Sequence, residues 1–192
     1  QQNFWKFLDM LAKTDECSEM IFQVNTNLNV KNVLVKRLME KIDYLLTMKK
    51  IKKFAIFSSV ESWGEQAMYA RSGLDCDLFE QNVKTIMTDL GHYSVDTFSG
   101  ITIMNTFNIL CVTSYTKFLE KILQWRNELQ KGKDFPKIMF DIPHCSEPNH
   151  WTLIGLPDSY DEYFSLITDF FYVNSWKQNW HNYHKDDHDG KY

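Results

Sequence analysis

The chain has 192 residues, enough for one domain with a substantial core and too few for two ordinary ones. It is 44% hydrophobic and 24% charged, with 21 Lys and Arg against 25 Asp and Glu, a formal net charge of −4. That balance argues against a phosphate-backbone binder, which needs a basic face. Glycine and proline together make 11 of 192 residues, which excludes collagen-like, linker-like and disordered classes and leaves little for a glycine-rich nucleotide loop.

Apolar periodicity sets the elements in chain order. Phe4, Phe7, Leu8 and Leu11 predict a helix over 3–13. The run Glu19 to Asn25 predicts a short buried strand, and Val35, Leu38, Ile42 and Leu45 a helix over about 31–48. Phe54 to Phe57 is the next strand, ending at Ser58 and Ser59. Residues 64–71 suit a short helix. Phe79, Val83, Ile86 and Leu90 mark another, with Asp77 as N-cap and Glu80 completing a capping box. Gly100 to Met104 is a strand with room to extend towards its N-terminus. Tyr115, Phe118, Ile122, Trp125 and Leu129 predict a helix over about 113–130, stopped by Gly132 and Pro136. Lys137 to Ile142 is the fourth strand, ended by Pro143. Ser159 and Glu162 form a capping box before the last helix, with Tyr163, Phe164, Ile167, Phe170 and Phe171. Residues 1–175 read as the domain and 176–192 as an aromatic, His- and Asp-rich tail.

Strands alternate with helices, so the fold class is α/β with parallel right-handed βαβ units. Continuous apolar runs suggest strands covered on both faces. An open doubly wound sheet and an incomplete barrel both satisfy the pattern. In either, chemistry sits beyond the carboxyl ends of the strands. Each strand here ends in a polar cluster: Asn25-Thr26-Asn27, Ser58-Ser59-Val60-Glu61, Asn105-Thr106-Phe107-Asn108, and Asp141 followed by His144. Together they describe a rim for a small polar molecule, although Asn, Ser and Thr also make turns and caps at such places. Arg71 is the charge to watch there, because a guanidinium can fork onto a ligand carboxylate.

The segment Phe57-Ser58-Ser59-Val60-Glu61-Ser62-Trp63-Gly64-Glu65-Gln66-Ala67-Met68-Tyr69-Ala70-Arg71-Ser72-Gly73-Leu74 resembles the radical S-adenosylmethionine (SAM) family. The likeness is closest to its twitch-domain and SPASM-related members, with a Ser-x-Asp/Glu pattern after a barrel strand and a Tyr-x-Arg-x-Gly-Leu-like stretch. Phe79-Glu80-Gln81-Asn82-Val83, Asn25-Thr26-Asn27, Thr106-Phe107-Asn108 and Leu156-Pro157 are similar to further family elements in the same order. The resemblance covers roughly residues 3–160 and rests on order and spacing. It implies the later strands of a parallel (β/α)6 partial TIM-type barrel. By this resemblance Ser59 and Arg71 hold the SAM carboxylate, Thr26 and Asn27 line the pocket near its methionine or ribose part, and Asn108 faces the ribose or substrate. Glu61 takes the acidic place of the Ser-x-Asp/Glu pattern. The implied chemistry is reductive cleavage of SAM at a [4Fe-4S] cluster, followed by abstraction of a substrate hydrogen. Family substrates are peptides, sugars and small metabolites.

Two family elements are missing: the Cys-x3-Cys-x2-Cys cluster motif and the Gly-Gly-Glu motif. Cys17, Cys76, Cys111 and Cys145 are 59, 35 and 34 residues apart, too far for a cluster triplet, a zinc knuckle or a redox pair. The expectation is a chain starting just after the Gly-Gly-Glu element, inactive in isolation, with the cluster ligands outside it. A degenerate cluster-free descendant, or a non-enzymatic α/β module binding a small polar ligand or partner protein, is the alternative. The same cysteine usage suggests a reducing, cytoplasmic compartment without disulfides, and no apolar run reaches the length of about 18 that a membrane span needs. Three other features are set lower. His181, His184 and His188 with Asp186, Asp187 and Asp189 read as a solvated tail before a metal site. His144-Cys145 lacks an oxyanion-hole signature. Tyr172, Trp176, Trp180 and Tyr183 suit packing more than base stacking, and Cys111 suits a small buried hydrophobe.

Overall fold

The computed structural model describes residues 2–130, 136–143, 145 and 147–175. The tail, Gly132 and His144, each singled out above, lie outside them. The elements run α1 (Gln2–Leu11), β1 (Ile21–Asn25), α2 (Asn32–Thr47), β2 (Lys53–Ser59), α3 (Glu65–Ala70), α4 (Cys76–Leu90), β3 (Phe98–Met104), α5 (Tyr115–Leu129), β4 (Ile138–Asp141) and α6 (Asp161–Ser175). Short 3-10 turns precede α5 and α6. The four strands form one parallel sheet in the order β1-β2-β3-β4.

Sequential order with right-handed crossovers places successive helices on one face. The register agrees. Phe22 pairs with Phe54, Phe54 with Phe98, Ile56 with Ile101 and Ile103 with Phe140, so these side chains share a face. That face meets the helices. Phe7 of α1 packs on Phe22, Phe118 of α5 on Phe140, and Phe171 of α6 on Phe140. Phe54, Ile56, Phe98, Ile101 and Ile103 are at most 1% exposed. Met39 and Ile42 of α2, Phe79, Val83 and Ile86 of α4, and Phe118, Ile122 and Trp125 of α5 complete this core.

Among the described residues no helix covers the opposite face. Its row Asn25, Phe57, Thr102 and Met139, and its row Ser59, Met104 and Asp141, are half-buried or exposed. Ala55 is the buried exception, small enough to be shaded by its neighbours. Among the described residues the helices thus cover one side of the sheet, where the continuous apolar runs had suggested two. Phe57, Met104 and Met139 are apolar residues of the open face, and they make the strands look doubly buried in sequence.

A bulge sits in β3. Between the pairs Phe54–Phe98 and Ile56–Ile101, two residues of β3, Ser99 and Gly100, oppose the single Ala55 of β2. Gly100 takes φ +103°, and a Cβ there would stand 1.9 Å from the Lys137 carbonyl oxygen. Only glycine lets the neighbouring backbone come this close.

Two caps differ from expectation. Asp75, not Asp77, caps α4 by accepting from the Leu78 amide at 3.0 Å. Asp77 lies in the first turn, where its charge favours the helix dipole instead. Ser159 lies inside a 3-10 turn, so the Ser159–Glu162 capping box does not form and Asp161 opens α6.

Candidate functional site at the carboxyl rim of the sheet

The parallel sheet aims the described residues of the four polar clusters at one rim. The β1–β2 pairing continues into it, with the Thr26 amide donating to the Phe57 carbonyl at 2.9 Å. β3 and β4 do likewise through the Asn105 amide and the Asp141 carbonyl at 2.9 Å. Thr26, Ser59 and Asn105 therefore lie at the same end of neighbouring strands.

Arg71 follows α3 and is fixed twice through its backbone. Its amide donates to the Ala67 carbonyl at 2.9 Å, and its carbonyl accepts from the Leu74 amide at 3.0 Å. Its guanidinium is held by Glu61, two residues beyond Ser59. Arg71 Nε donates to Glu61 Oε2 at 3.0 Å, and Nη2 donates to Glu61 Oε1. The Arg71 side chain is 35% exposed and that of Glu61 13%. Glu61 is fixed in turn at its backbone: its carbonyl accepts from the buried Asn105 amide group at 2.7 Å, and the Val60 carbonyl from the same group at 2.9 Å.

A second set of asparagines sews the β1 loop to this segment. Asn29 donates to the Gly73 carbonyl and accepts from the Asp75 amide at 3.0 Å. Buried Asn82 of α4 donates to the Leu28 and Val30 carbonyls, both at 2.8 Å, and accepts from Asn32 at 2.9 Å. Asn105 belongs to a rim cluster expected from sequence, whereas Asn29 and Asn82 were not picked out as rim-building residues. Asn82 carries the readable signal, a polar residue inside the apolar stripe of Phe79, Val83 and Ile86.

The expected ligand residues divide into two groups. Ser59 stands half-buried on the open face, and Arg71 reaches the same rim through Glu61. Thr26, Asn27 and Asn108 spend side-chain groups on their own loops. Thr26 Oγ1 accepts from the Leu28 amide at 3.2 Å, and Asn27 Oδ1 from the Asn29 amide at 3.1 Å. Asn108 is 4% exposed, donates to the Thr106 carbonyl at 2.7 Å and accepts from the Leu110 amide at 2.9 Å. These are the local turns that short polar side chains make after strands.

The cysteines are all free. Cys17 follows α1, Cys76 opens α4, Cys111 precedes α5 and Cys145 follows β4. Burial pushes the Cys111 thiol up to about 12, against the thiolate that a metal requires. Among the described residues no group of three or more His, Cys, Asp or Glu side chains is placed to hold a metal ion. The residues of this chain do not fit a [4Fe-4S] cluster. Arg71 does fit a carboxylate. A guanidinium has two forks, and Glu61 takes the Nε/Nη2 one. Among the described residues Nη1 has no partner, so the end-on fork remains for a second carboxylate.

Away from the rim, Lys36, Asp77, Glu80, Lys84, Thr85 and Asp89 line an open groove of about 630 Å3 between α2 and α4. Its charges are partly paired with one another, Lys84 with Glu80 at 2.7 Å. Among the described residues, no helix is long and apolar enough to cross a membrane. No family model, curated protein or solved structure matches the chain.

Proposed function

We propose that this chain is the later part of a radical SAM-type partial barrel and supplies the carboxylate-binding half of a SAM site. One observation carries the reading. A parallel sheet in chain order has helices on one face, and Glu61, two residues beyond the open-face Ser59, holds a guanidinium with one fork left over. A barrel wall has this construction, its helices outside and its polar inner face leading to a carboxyl-end site. The resemblance of residues 57–74 supplies the ligand class. When bound, SAM supplies the reactive adenosyl group; the cluster that cleaves it needs thiolates from elsewhere. The chain's own part is binding and orientation: Arg71 takes the carboxylate end-on, and Ser59 adds a hydroxyl beside it.

The experiment is titration calorimetry of the chain with SAM and with its decarboxylated analogue. SAM binds more tightly by about tenfold, the worth of one charge-assisted fork, and Arg71→Ala removes the difference. Equal affinity for the two ligands in the unaltered chain contradicts the reading. The isolated chain forms no deoxyadenosine, and its formation also contradicts it. The dispersed cysteines favour a second reading, a non-enzymatic module that binds a small zwitterion at the same fork.

A further inference from the structure

The Glu61–Arg71 pair sets the charge of the site as well as its geometry. An arginine alone at a rim attracts any anion, phosphate most strongly. Here a carboxylate already neutralises it, through a fork in which both carboxylate oxygens are engaged. Glu61 is mostly buried, and Asn105 fixes the backbone from which it reaches Arg71. A second carboxylate placed on the end-on fork gives a row of two negative charges around one positive. That row is favourable only when the incoming ligand brings compensating positive charge of its own.

We propose that Glu61 is a positioning and charge-selecting residue for Arg71, tuning the rim to carboxylates that carry adjacent cationic groups and against phosphate. This rests on the reading of Arg71 as the carboxylate-binding residue. An amino acid with an ammonium group, or SAM with its added sulfonium, meets the requirement; inorganic phosphate does not. Glu61 also fixes which fork is presented, since occupation of the Nε/Nη2 fork leaves only the end-on one.

The test compares the full chain with Glu61→Gln and Glu61→Asp, using SAM and inorganic phosphate as probes. The side-chain Nε–H signal of Arg71 is followed by nitrogen-15 NMR in the absence of ligand. Glu61→Gln is expected to weaken SAM binding about tenfold and to strengthen phosphate binding several-fold. A merely structural loss moves both ligands the same way, so equal weakening of both overturns the proposal, and so does no change in either. Glu61→Asp keeps the charge but shortens the reach. It is expected to keep phosphate excluded while the protected Arg71 Nε–H signal disappears. Persistence of that signal in both variants overturns the positioning role. Failure of the underlying reading looks different: the Nε–H signal depends on Glu61 as described, while the unaltered chain does not distinguish SAM from its decarboxylated analogue.

Discussion

Phe54 and Phe57 stand three residues apart in β2 and belong to different worlds. Phe54 is fully buried between Phe22 and Phe98 under the helices, whereas Phe57 is half-buried on the open face between Asn25 and Thr102. On the covered face the neighbours of Phe54 are apolar and their rings pack against one another. On the open face phenylalanine and methionine alternate with amide, hydroxyl and carboxylate groups. One strand thus serves two tasks: its covered side holds the fold, and its open side has polar groups to spare for a ligand.

The largest effect that tests this contrast is on stability. Phe54→Ala is expected to cost about 4 kcal/mol, and Phe57→Ala about 1 kcal/mol, measured by urea unfolding. Equal costs break the contrast. Asn82→Ala comes next, at about 2 kcal/mol, because it strands the buried Leu28 carbonyl and the part-buried Val30 carbonyl.

Acid unfolding sharpens the helical side. Burial pulls the Glu80 carboxyl up, but hydrogen bonds from Lys84 and Lys121 outweigh it and leave the group below its ordinary 4.5. The folded form therefore holds this proton less readily than the unfolded one. The stability so gained is present above 4.5 and lost as the pH falls through the depressed value. Glu80→Gln is expected to flatten the acid limb of a stability profile between about pH 5 and pH 3. A limb of unchanged slope contradicts that origin.

The smallest stability effect is at the rim. Arg71→Ala is expected to cost under about 1 kcal/mol, since the pair is partly exposed. A loss of several kcal/mol makes Arg71 part of the scaffold instead of the site.

Much of the fold was legible because periodicity is a property of burial, and the covered face imposes it. All ten helices and strands lie where the apolar spacing puts them, within a few residues at each end. The one-sided sheet was not legible, because Phe57, Met104 and Met139 are apolar without being fully covered. The bulge at Gly100 was not legible either, since it depends on the approach of Lys137 from another strand. At the site, Glu61 was visible as a member of a pattern but not as the partner of Arg71. Ten residues separate the two, and only the short helix Glu65–Ala70 folds them together. Thr26, Asn27 and Asn108 show the reverse. Their place at strand ends was clear, but their side chains close turns that sequence alone does not distinguish from ligand contacts.

The central claim is that the open face and its rim, not the helical exterior, receive the ligand. Amide and methyl NMR of the chain titrated with SAM tests it most directly. The account predicts shifts at Asn25, Phe57, Ser59, Glu61, Arg71 and Met104, with Phe54, Ile56 and Phe98 unmoved. Shifts concentrated at Lys36, Asp77, Glu80 and Lys84 in the groove between α2 and α4, or no shifts at all, would contradict it.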